Sequence, residues 1–284
     1  MNSKIDLHMH TIISDGTDTI PQLLEKIQDL GITTFAVTDH DAIESSLEME
    51  SIVPAGIRFI RGVELSCKTE IAKCHILGYN YDVTNPEFQN MLEEANALRK
   101  NKLHKRLRYL EEEFGFRFIE QDIAWLETMR SAGKPHLEVL VRKQIRPPMP
   151  GEEPVNIYEK YFKHLPSARI DAIGAIKAVK AAGGIAVWAH PLGGTGERRL
   201  PEEQFFKQLD LLCSVGLDGL ECYYSEYTKE EIEMLCNIAN QKGLCISGGS
   251  DYHGTRKKHL HLGMLNKEDA IIDSSKLTLL DMLK

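Results

Sequence analysis

Short apolar runs rich in β-branched residues alternate along this chain with patterns typical of amphipathic helices. The helical patterns are clearest at 21–30, 171–182 and 228–240, where apolar residues recur every three or four positions. Strands that alternate with helices tend to pair in a parallel sheet, because each helix carries the chain back across it. The sequence therefore predicts an α/β fold with a mostly parallel sheet. The predicted strands lie at 5–8, 33–38, 58–65, 73–79, 185–189, 218–222 and 244–247.

The length and composition are those of an ordinary globular protein. The 284 residues are 42% hydrophobic and 27% charged, which suits one large domain or a barrel with a small insert. No apolar run reaches about 18 residues, so we expect neither a transmembrane helix nor a membrane partner. The formal charge of -8 argues against a protein that binds nucleic-acid backbone non-specifically, and so against a duplex DNA partner.

The N-terminus and the cysteines indicate a cytoplasmic protein. The first residues, MNSKIDLHMHT, lack the apolar stretch of a signal peptide and turn at once to His and Asp. No two cysteines form a C-x-x-C pair, so we interpret them as reduced thiols that mostly act as small buried hydrophobes. They are Cys67, Cys74, Cys213, Cys222, Cys236 and Cys245.

The middle of the chain has a different character. From about residue 86 to 165 it is charged and helical, with little strand signal. We interpret residues 99–168 as a helical insert domain, and residues 1–98 and 169–284 as the barrel that it interrupts. The basic run at 99–108 has a simpler interpretation as a solvated helix face.

Histidines or carboxylates stand on nearly every predicted strand, most of them where the strand ends. The carboxyl ends of strands are where α/β barrels place their chemistry. Residues two apart in a strand point to the same face, so His8 and His10 can reach one metal together. Imidazole combined with carboxylate suits zinc, manganese or iron. The candidate ligands are His8, His10, Asp15, His40, Glu64, His75, His190, Asp251 and His253.

Each of these features alone has a plainer interpretation. An isolated H-x-H is usually a surface pair or a satisfied core pair, and an isolated Glu64 would suit a salt bridge. Asp39 and Asp41 would suit a helix N-terminus, and His75 a structural role. Six of the eleven histidines nevertheless lie at such positions, and this recurrence favours a joint metal site.

These residues fall in motifs that together resemble the polymerase-and-histidinol-phosphatase (PHP) family. The resemblance is closest to the stand-alone bacterial phosphoesterases that act on nucleoside 3',5'-bisphosphates or trim short RNA from its 5' end. It implies a distorted (β/α)7 barrel with a helical insert. The motifs are DLHMHTIISDGT at 6–17, VTDHD at 37–41, GVELSC at 62–67, HILGY at 75–79, GKPH at 133–136, AHP at 189–191 and GSDYHG at 249–254.

The resemblance also implies a site with three divalent metal ions. The first would be held by His8, His10, Glu64 and Asp251, the second by Glu64, His75 and His190, and the third by Asp15, His40 and His253. Asp15 stands where some members have a His, and its harder oxygen favours manganese, with zinc or iron as alternatives. Glu64, His190 and Asp251 are the implied catalytic residues.

The implied chemistry is metal-assisted hydrolysis of a phosphate ester. A hydroxide bridging two metals would be the nucleophile, since bound cations lower the pKa of water. The sequence contains no G-x-S-x-G elbow and no P-loop. The positive charge of the metals would exceed the negative charge of their carboxylate ligands. The result would be a cationic pocket in an acidic protein, which fits a small phosphorylated substrate.

A second phosphate on the substrate would need further cations. The predicted substrate contacts are Arg130, Lys134, His136, Arg198, Arg199 and Tyr223. Alternatively, Arg198 and Arg199 belong to a surface loop, His136 to a helix N-terminus, and Tyr223 with Tyr224 to the packing rather than to base stacking.

Three functions remain open at this stage. The first is a phosphoesterase acting on a nucleoside 3',5'-bisphosphate or on the 5' end of short RNA. The second is a histidinol-phosphate-type or other small-metabolite phosphatase, and the third is a non-catalytic metal-binding accessory module. The complete set of nine candidate ligands favours an enzyme. The sequence does not indicate an oligomeric state.

Overall fold

The computed structural model describes residues 3–128, 132–194 and 198–283. All seven predicted strands are present, with ends that differ from the predicted ones by no more than three residues. A short strand, β5, was not predicted. The strands are β1 (Ile5–Asp6), β2 (Thr34–Val37), β3 (Arg58–Lys68), β4 (Lys73–Tyr79), β5 (Ile170–Asp171), β6 (Ile185–Trp188), β7 (Gly219–Tyr224) and β8 (Cys245–Gly249).

The strands form a nearly closed barrel in the order β1-β2-β3-β4-β6-β7-β8, and β5 pairs with the end of β3. The first and last strands meet where Leu7 N donates to Gly248 O at 3.2 Å and Asp251 N donates to His8 O at 2.9 Å. The predicted barrel is therefore confirmed. The α-helices of the described ranges are α1 (Ile20–Asp29), α2 (Glu44–Ile52), α3 (Pro86–Phe114), α4 (Glu120–Glu127), α5 (Lys134–Arg142), α6 (Ala172–Ala181), α7 (Glu202–Ser214), α8 (Lys229–Lys242) and α9 (Leu279–Met282).

The sheet is mostly parallel, but β4 runs antiparallel to both of its neighbours, β3 and β6. His75 is the third residue of β4 and so lies near the start of its strand rather than at the end. Because β4 is reversed, its start lies at the same barrel edge as the carboxyl ends of β3 and β6. Ala189 N, just beyond β6, donates to His75 O at 3.0 Å. The reversal thus brings His75 to the edge where the other candidate ligands lie.

Helix α1 shows how local sequence sets the elements around the barrel. Thr19 accepts a hydrogen bond from Gln22 N at the helix start, and Pro21 occupies the first turn, where its missing N–H is not needed. Gly31 follows the helix in the left-handed region at φ 64°, which a glycine adopts without strain. The apolar face packs on the barrel through Ile20, Leu23, Leu24 and Ile27.

Helix α3 links two hydrophobic clusters. Its N-terminal half, including Phe88 and Leu92, packs into the main core between the barrel and its helices. Its C-terminal half, including Leu107 and Leu110, packs into a second cluster drawn from residues 103–165. The predicted boundary at residue 99 falls inside this single helix, and the division into two domains stays a prediction. None of the helices in the described ranges is long and apolar enough to cross a membrane.

Candidate metal centre

Glu64 stands at the centre of the candidate ligands. It follows Val63 on β3, whose carboxyl end opens at the barrel edge. Its Oε2 lies 3.3 Å from His8 Nε2, 3.2 Å from His10 Nε2 and 3.0 Å from His40 Nδ1. Its Oε1 lies 3.1 Å from His75 Nδ1 and 3.0 Å from His190 Nε2. One buried carboxylate therefore faces five imidazoles.

Two further carboxylates complete the cluster. Asp251 Oδ1 lies 3.6 Å from His8 Nε2 and 3.3 Å from His10 Nε2. Asp15 Oδ1 lies 3.3 Å from His253 Nε2 and 3.9 Å from His40 Nε2. The structure thus brings all nine predicted ligands together at one barrel edge.

The donor atoms fall into groups that resemble the predicted sets. The group of Asp15, His40 and His253 also takes in His10, and His8, His10 and Asp251 form another. Glu64 joins two groups, one with His8 and His190 and one with His40 and His75. Within each group the ligand atoms lie within 4.8 Å of one another.

The donor set fits divalent metal ions. His8 Nε2, His10 Nε2, His40 Nδ1 and Glu64 Oε2 are buried polar atoms with no hydrogen-bond partner among the described residues. Unpaired buried polar atoms are costly, and four that converge on one point form an arrangement that a bound cation would satisfy. Imidazole nitrogens mixed with carboxylate oxygens suit manganese, zinc or iron.

The electrostatics of the cluster also favour positive charge. Burial alone would raise the pKa of Glu64, but His40, His75 and His8 hold that pKa well below its ordinary value. Burial lowers the pKa of His10, but the close carboxylates of Asp251 and Glu64 outweigh it and raise the pKa to about 9. Glu64 thus remains ionised, and its negative charge favours a cation beside it, whether a protonated imidazole or a metal ion.

A shell of carboxylates that sequence reasoning did not single out holds the ligands in place. Glu221 Oε1 lies 2.8 Å from His8 Nδ1, and its Oε2 accepts a hydrogen bond from His190 N at 2.8 Å. Asp6 accepts hydrogen bonds from Ser250 N at 2.9 Å and Ser250 Oγ at 2.6 Å. Burial raises the pKa of Asp6 to about 6. Asp6 could have been found from its position two residues before His8, on the same strand face.

Asp251 is oriented by two groups on its other oxygen. Tyr224 OH donates to Asp251 Oδ2 at 2.9 Å and Lys257 Nζ donates to it at 2.6 Å, which leaves Oδ1 to face the histidines. An irregularity in the β7–β8 pairing after Glu221 places Tyr224, rather than Tyr223, beside the site. Asp251 has a left-handed φ of 54°, and such conformations in non-glycine residues cluster at functional sites.

A cavity of about 450 Å³ opens above the ligands. It lies between the barrel edge and the insert, and Asp15, Glu64 and Asp251 form part of its wall. Among the described residues, seven Lys and Arg side chains also line it, namely Arg99, Lys102, Arg106, Lys134, Arg169, Arg256 and Lys257. The cavity is therefore suited to an anion larger than a single phosphate.

Of the predicted substrate contacts in the described residues, only Lys134 lines this cavity. Burial lowers the pKa of Lys134. His136 is buried, its Nδ1 accepts a hydrogen bond from Gly133 N at 3.0 Å, and burial lowers its pKa to about 4. Arg199 pairs with Glu231 in a separate groove between α7 and α8.

The remaining predicted contacts do not line the cavity within the described residues. Arg198 is exposed, and Tyr223 packs against the main core, where burial raises its pKa to about 12. Arg130 lies outside the described residues.

The basic run at 99–108 divides into two faces. Arg99, Lys102 and Arg106 face the cavity, whereas Lys105 and Arg108 are exposed. The interpretation as a solvated face thus holds for only part of the run. The spacing of three and four residues groups Arg99, Lys102 and Arg106 on one helix face, but it does not indicate which face meets the cavity. Burial and the neighbouring Arg99 and Arg106 lower the pKa of Lys102 to about 6.

The match to known proteins agrees with this geometry. Residues 6–192, about two thirds of the chain, match the family described as the PHP domain. The chain belongs to the PHP family and is a metal-dependent phosphoesterase, and so a hydrolase.

Named relatives extend over most of the chain. It is 29% identical to a 5'-3' exoribonuclease of Haemophilus influenzae, over 89% of this chain and 91% of the relative. It is 28% identical to the phosphoribosyl 1,2-cyclic phosphate 1,2-diphosphodiesterase of Eggerthella lenta, over 91% and 97%. It is 26% identical to the 3',5'-nucleoside bisphosphate phosphatase of Chromobacterium violaceum, over 88% and 87%.

A solved structure is similar over nearly the whole fold. It comes from Bifidobacterium adolescentis and is described as a candidate metal-dependent phosphoesterase. The TM-score is 0.77 and the identity 27%, over 97% of this chain and 95% of the other.

Proposed function

We propose that this protein hydrolyses a phosphate ester of a nucleotide, either a nucleoside 3',5'-bisphosphate or the 5' end of a short RNA. The observation that carries the proposal is the cation-lined cavity directly above the candidate metal ligands. Arg99 and Lys257 already pair with Asp41 and Asp251, but a substrate with one phosphate at the metals would leave Lys102, Arg106 and Lys134 without a phosphoryl partner. A substrate with a second phosphoryl group would pair with them.

The relatives support this substrate class. A nucleoside 3',5'-bisphosphate, a phosphoribosyl 1,2-cyclic phosphate and an RNA 5' end all present a ribose that carries two phosphoryl groups. The relatives named for these substrates match nearly the full length of the chain. We therefore expect the site to bind a ribose with one phosphoryl group at the metals and another against the insert.

The nine ligands would hold three divalent ions, with manganese expected. Bound metals would activate water for attack on phosphorus and neutralise charge on the phosphoryl oxygens. Glu221 and Asp6 would fix the orientation of the ligands, as outer partners of metal-binding histidines commonly do. Lys102, Arg106 and Arg169 would bind the phosphoryl group that does not react.

The alternative of a histidinol-phosphate-type phosphatase fits the cavity less well. Its substrate would bring a single phosphate and an ammonium group, which the cavity cations would repel. A non-catalytic module would not need a cavity above a complete ligand set.

The test is direct. Manganese-loaded protein is incubated separately with adenosine 3',5'-bisphosphate, with a 5'-phosphorylated RNA oligomer and with histidinol phosphate, and products are identified by mass spectrometry. Asp251→Ala and a chelator serve as controls. Phosphate released from the bisphosphate alone identifies a nucleotidase, and stepwise loss of 5' nucleotides identifies an exoribonuclease. Activity on histidinol phosphate alone would overturn the proposal, as would fewer than two metals per chain after manganese reconstitution.

A further inference from the structure

A buried ion pair joins the insert helix to the loop that carries one of the candidate ligands. Arg99 of α3 places its Nε 2.5 Å from Asp41 Oδ2, and its Nη2 donates to Ser66 Oγ at 2.9 Å. The side chains of Arg99 and Asp41 are only 10% and 3% exposed. A buried pair with this geometry is poorly screened, and removing one partner leaves the other charge uncompensated.

Asp41 belongs to the segment that positions His40. The segment continues along β3 beyond the end of β2, since Asp41 N donates to Glu64 O at 2.9 Å. Asp41 then turns the chain with a left-handed φ of 50°. Its carboxylate fixes this turn by accepting a hydrogen bond from Ser66 N at 2.7 Å and by pairing with Arg99.

His40 is the most exposed histidine of the cluster, so its position depends most on the turn that follows it. Its side chain is 15% exposed, more than that of any other histidine of the cluster. Its two nitrogens lie 3.0 Å from Glu64 Oε2 and 3.9 Å from Asp15 Oδ1, so it stands between the central carboxylate and the third metal position. A small rotation of the turn at Asp41 would move this ring away from Asp15.

We propose that Arg99 is a positioning residue for the third metal. Through Asp41 it holds His40 in place, so that the insert helix helps to build the metal site as well as to bind substrate. This inference rests on the three-metal site of the proposed function. Lys102 and Arg106 line the same cavity but have different partners from Arg99. Arg106 Nε donates to Pro166 O and Lys102 Nζ donates to Ala168 O, so neither of these hydrogen bonds reaches the turn at Asp41.

The experiment measures metal rather than turnover alone. Wild type, Arg99→Gln and Asp41→Asn are reconstituted with manganese, and bound metal is counted by elemental mass spectrometry during titration with a chelator. We expect three ions in wild type. In both variants we expect the third ion to bind about 10- to 100-fold more weakly, the range typical when an outer partner of a ligand is lost.

Matched variants separate positioning from general cation loss. Lys102→Met removes a neighbouring cavity cation and should leave three tightly bound ions, while exposed Arg108→Gln on the same helix should change nothing. The double variant Arg99→Gln/Asp41→Asn should weaken the third ion no more than either single change, because both act through one contact. Circular dichroism confirms folding, and Arg99→Lys should restore part of the affinity by keeping the charge.

Each outcome decides between the proposals. Three tightly bound ions in wild type and in Arg99→Gln alike would overturn the positioning role and leave the proposed function intact. Fewer than three ions in wild type would overturn the three-metal site and this inference with it. Equal weakening by Lys102→Met would show that the packing of the α3 face in general, rather than the turn at Asp41, governs the third ion.

Discussion

The barrel edge and the insert helix both supply polar side chains to one cavity, but they do so in different ways. At the barrel edge, His8, His10 and Glu64 converge because neighbouring strands end together, and the spacing along each strand fixes which face is presented. On the insert, Arg99, Lys102 and Arg106 reach the cavity only because α3 is oriented by two hydrophobic clusters. The barrel edge therefore depends on local geometry, and the insert face on long-range packing.

The strongest test of the barrel edge is Glu64→Gln. The change keeps the shape of the side chain but removes the charge that faces five histidines. We expect loss of bound metal and a fall in phosphoesterase activity of about 1,000-fold or more, because metal-based charge stabilisation would be lost. Metal content and turnover measured together check this. Wild-type metal content in the variant would contradict the central role of Glu64.

Glu221→Gln tests whether the barrel edge needs its outer carboxylates. Glu221 contacts His8 Nδ1 and His190 N, and the amide would keep only one acceptor oxygen. We expect metal affinity to fall about 10- to 100-fold, by analogy with other outer partners of ligating histidines. Chelator competition measures this. Unchanged affinity would mean that the strands alone position these ligands.

Lys102→Met tests the insert face by its effect on the free energy of unfolding. The pKa of Lys102 falls from 10.5 to about 6 on folding, so between these values the unfolded chain binds the extra proton and wild-type stability rises with pH. We expect the variant to unfold with a free energy about 1–3 kcal/mol higher than wild type at pH 7, and this gain to shrink toward pH 10. Urea unfolding at several pH values checks it, with exposed Lys105→Met as the matched control.

The same variant should bind the bisphosphate less well. We expect KM to rise about tenfold, since the hydrogen bond from Lys102 Nζ to a phosphoryl group is lost, and with it the proton that the phosphoryl charge would draw onto this amine. A gain in stability without any change in KM would separate Lys102 from substrate binding.

We expect Arg199→Ala to change substrate binding and stability least of all these variants. The side chain pairs with Glu231 at the surface, away from the cavity. We expect KM and the free energy of unfolding to change little, with KM within about twofold. A tenfold rise in KM would show that the loop before α7 reaches the substrate.

The sequence by itself determined the strands of the barrel and the nine positions where candidate ligands lie. Short apolar runs rich in β-branched residues predicted the strands, and the recurrence of His, Asp and Glu on or just after them predicted nine residues that the structure brings together. These inferences succeeded because a strand end is a local feature, and strands of one barrel must share an edge. The metal roles of the nine residues stay predictions for the experiments above.

Only the tertiary structure decided the rest. It reversed β4, which explains how His75 reaches the site from the start of its strand. It turned half of the basic run into the cavity, placed Tyr224 rather than Tyr223 beside Asp251, and joined Arg99 to Asp41 across 58 residues. These features depend on how distant segments pack. A helix face that contacts ligand and one that contacts water carry the same charges in the sequence and differ only in what covers them.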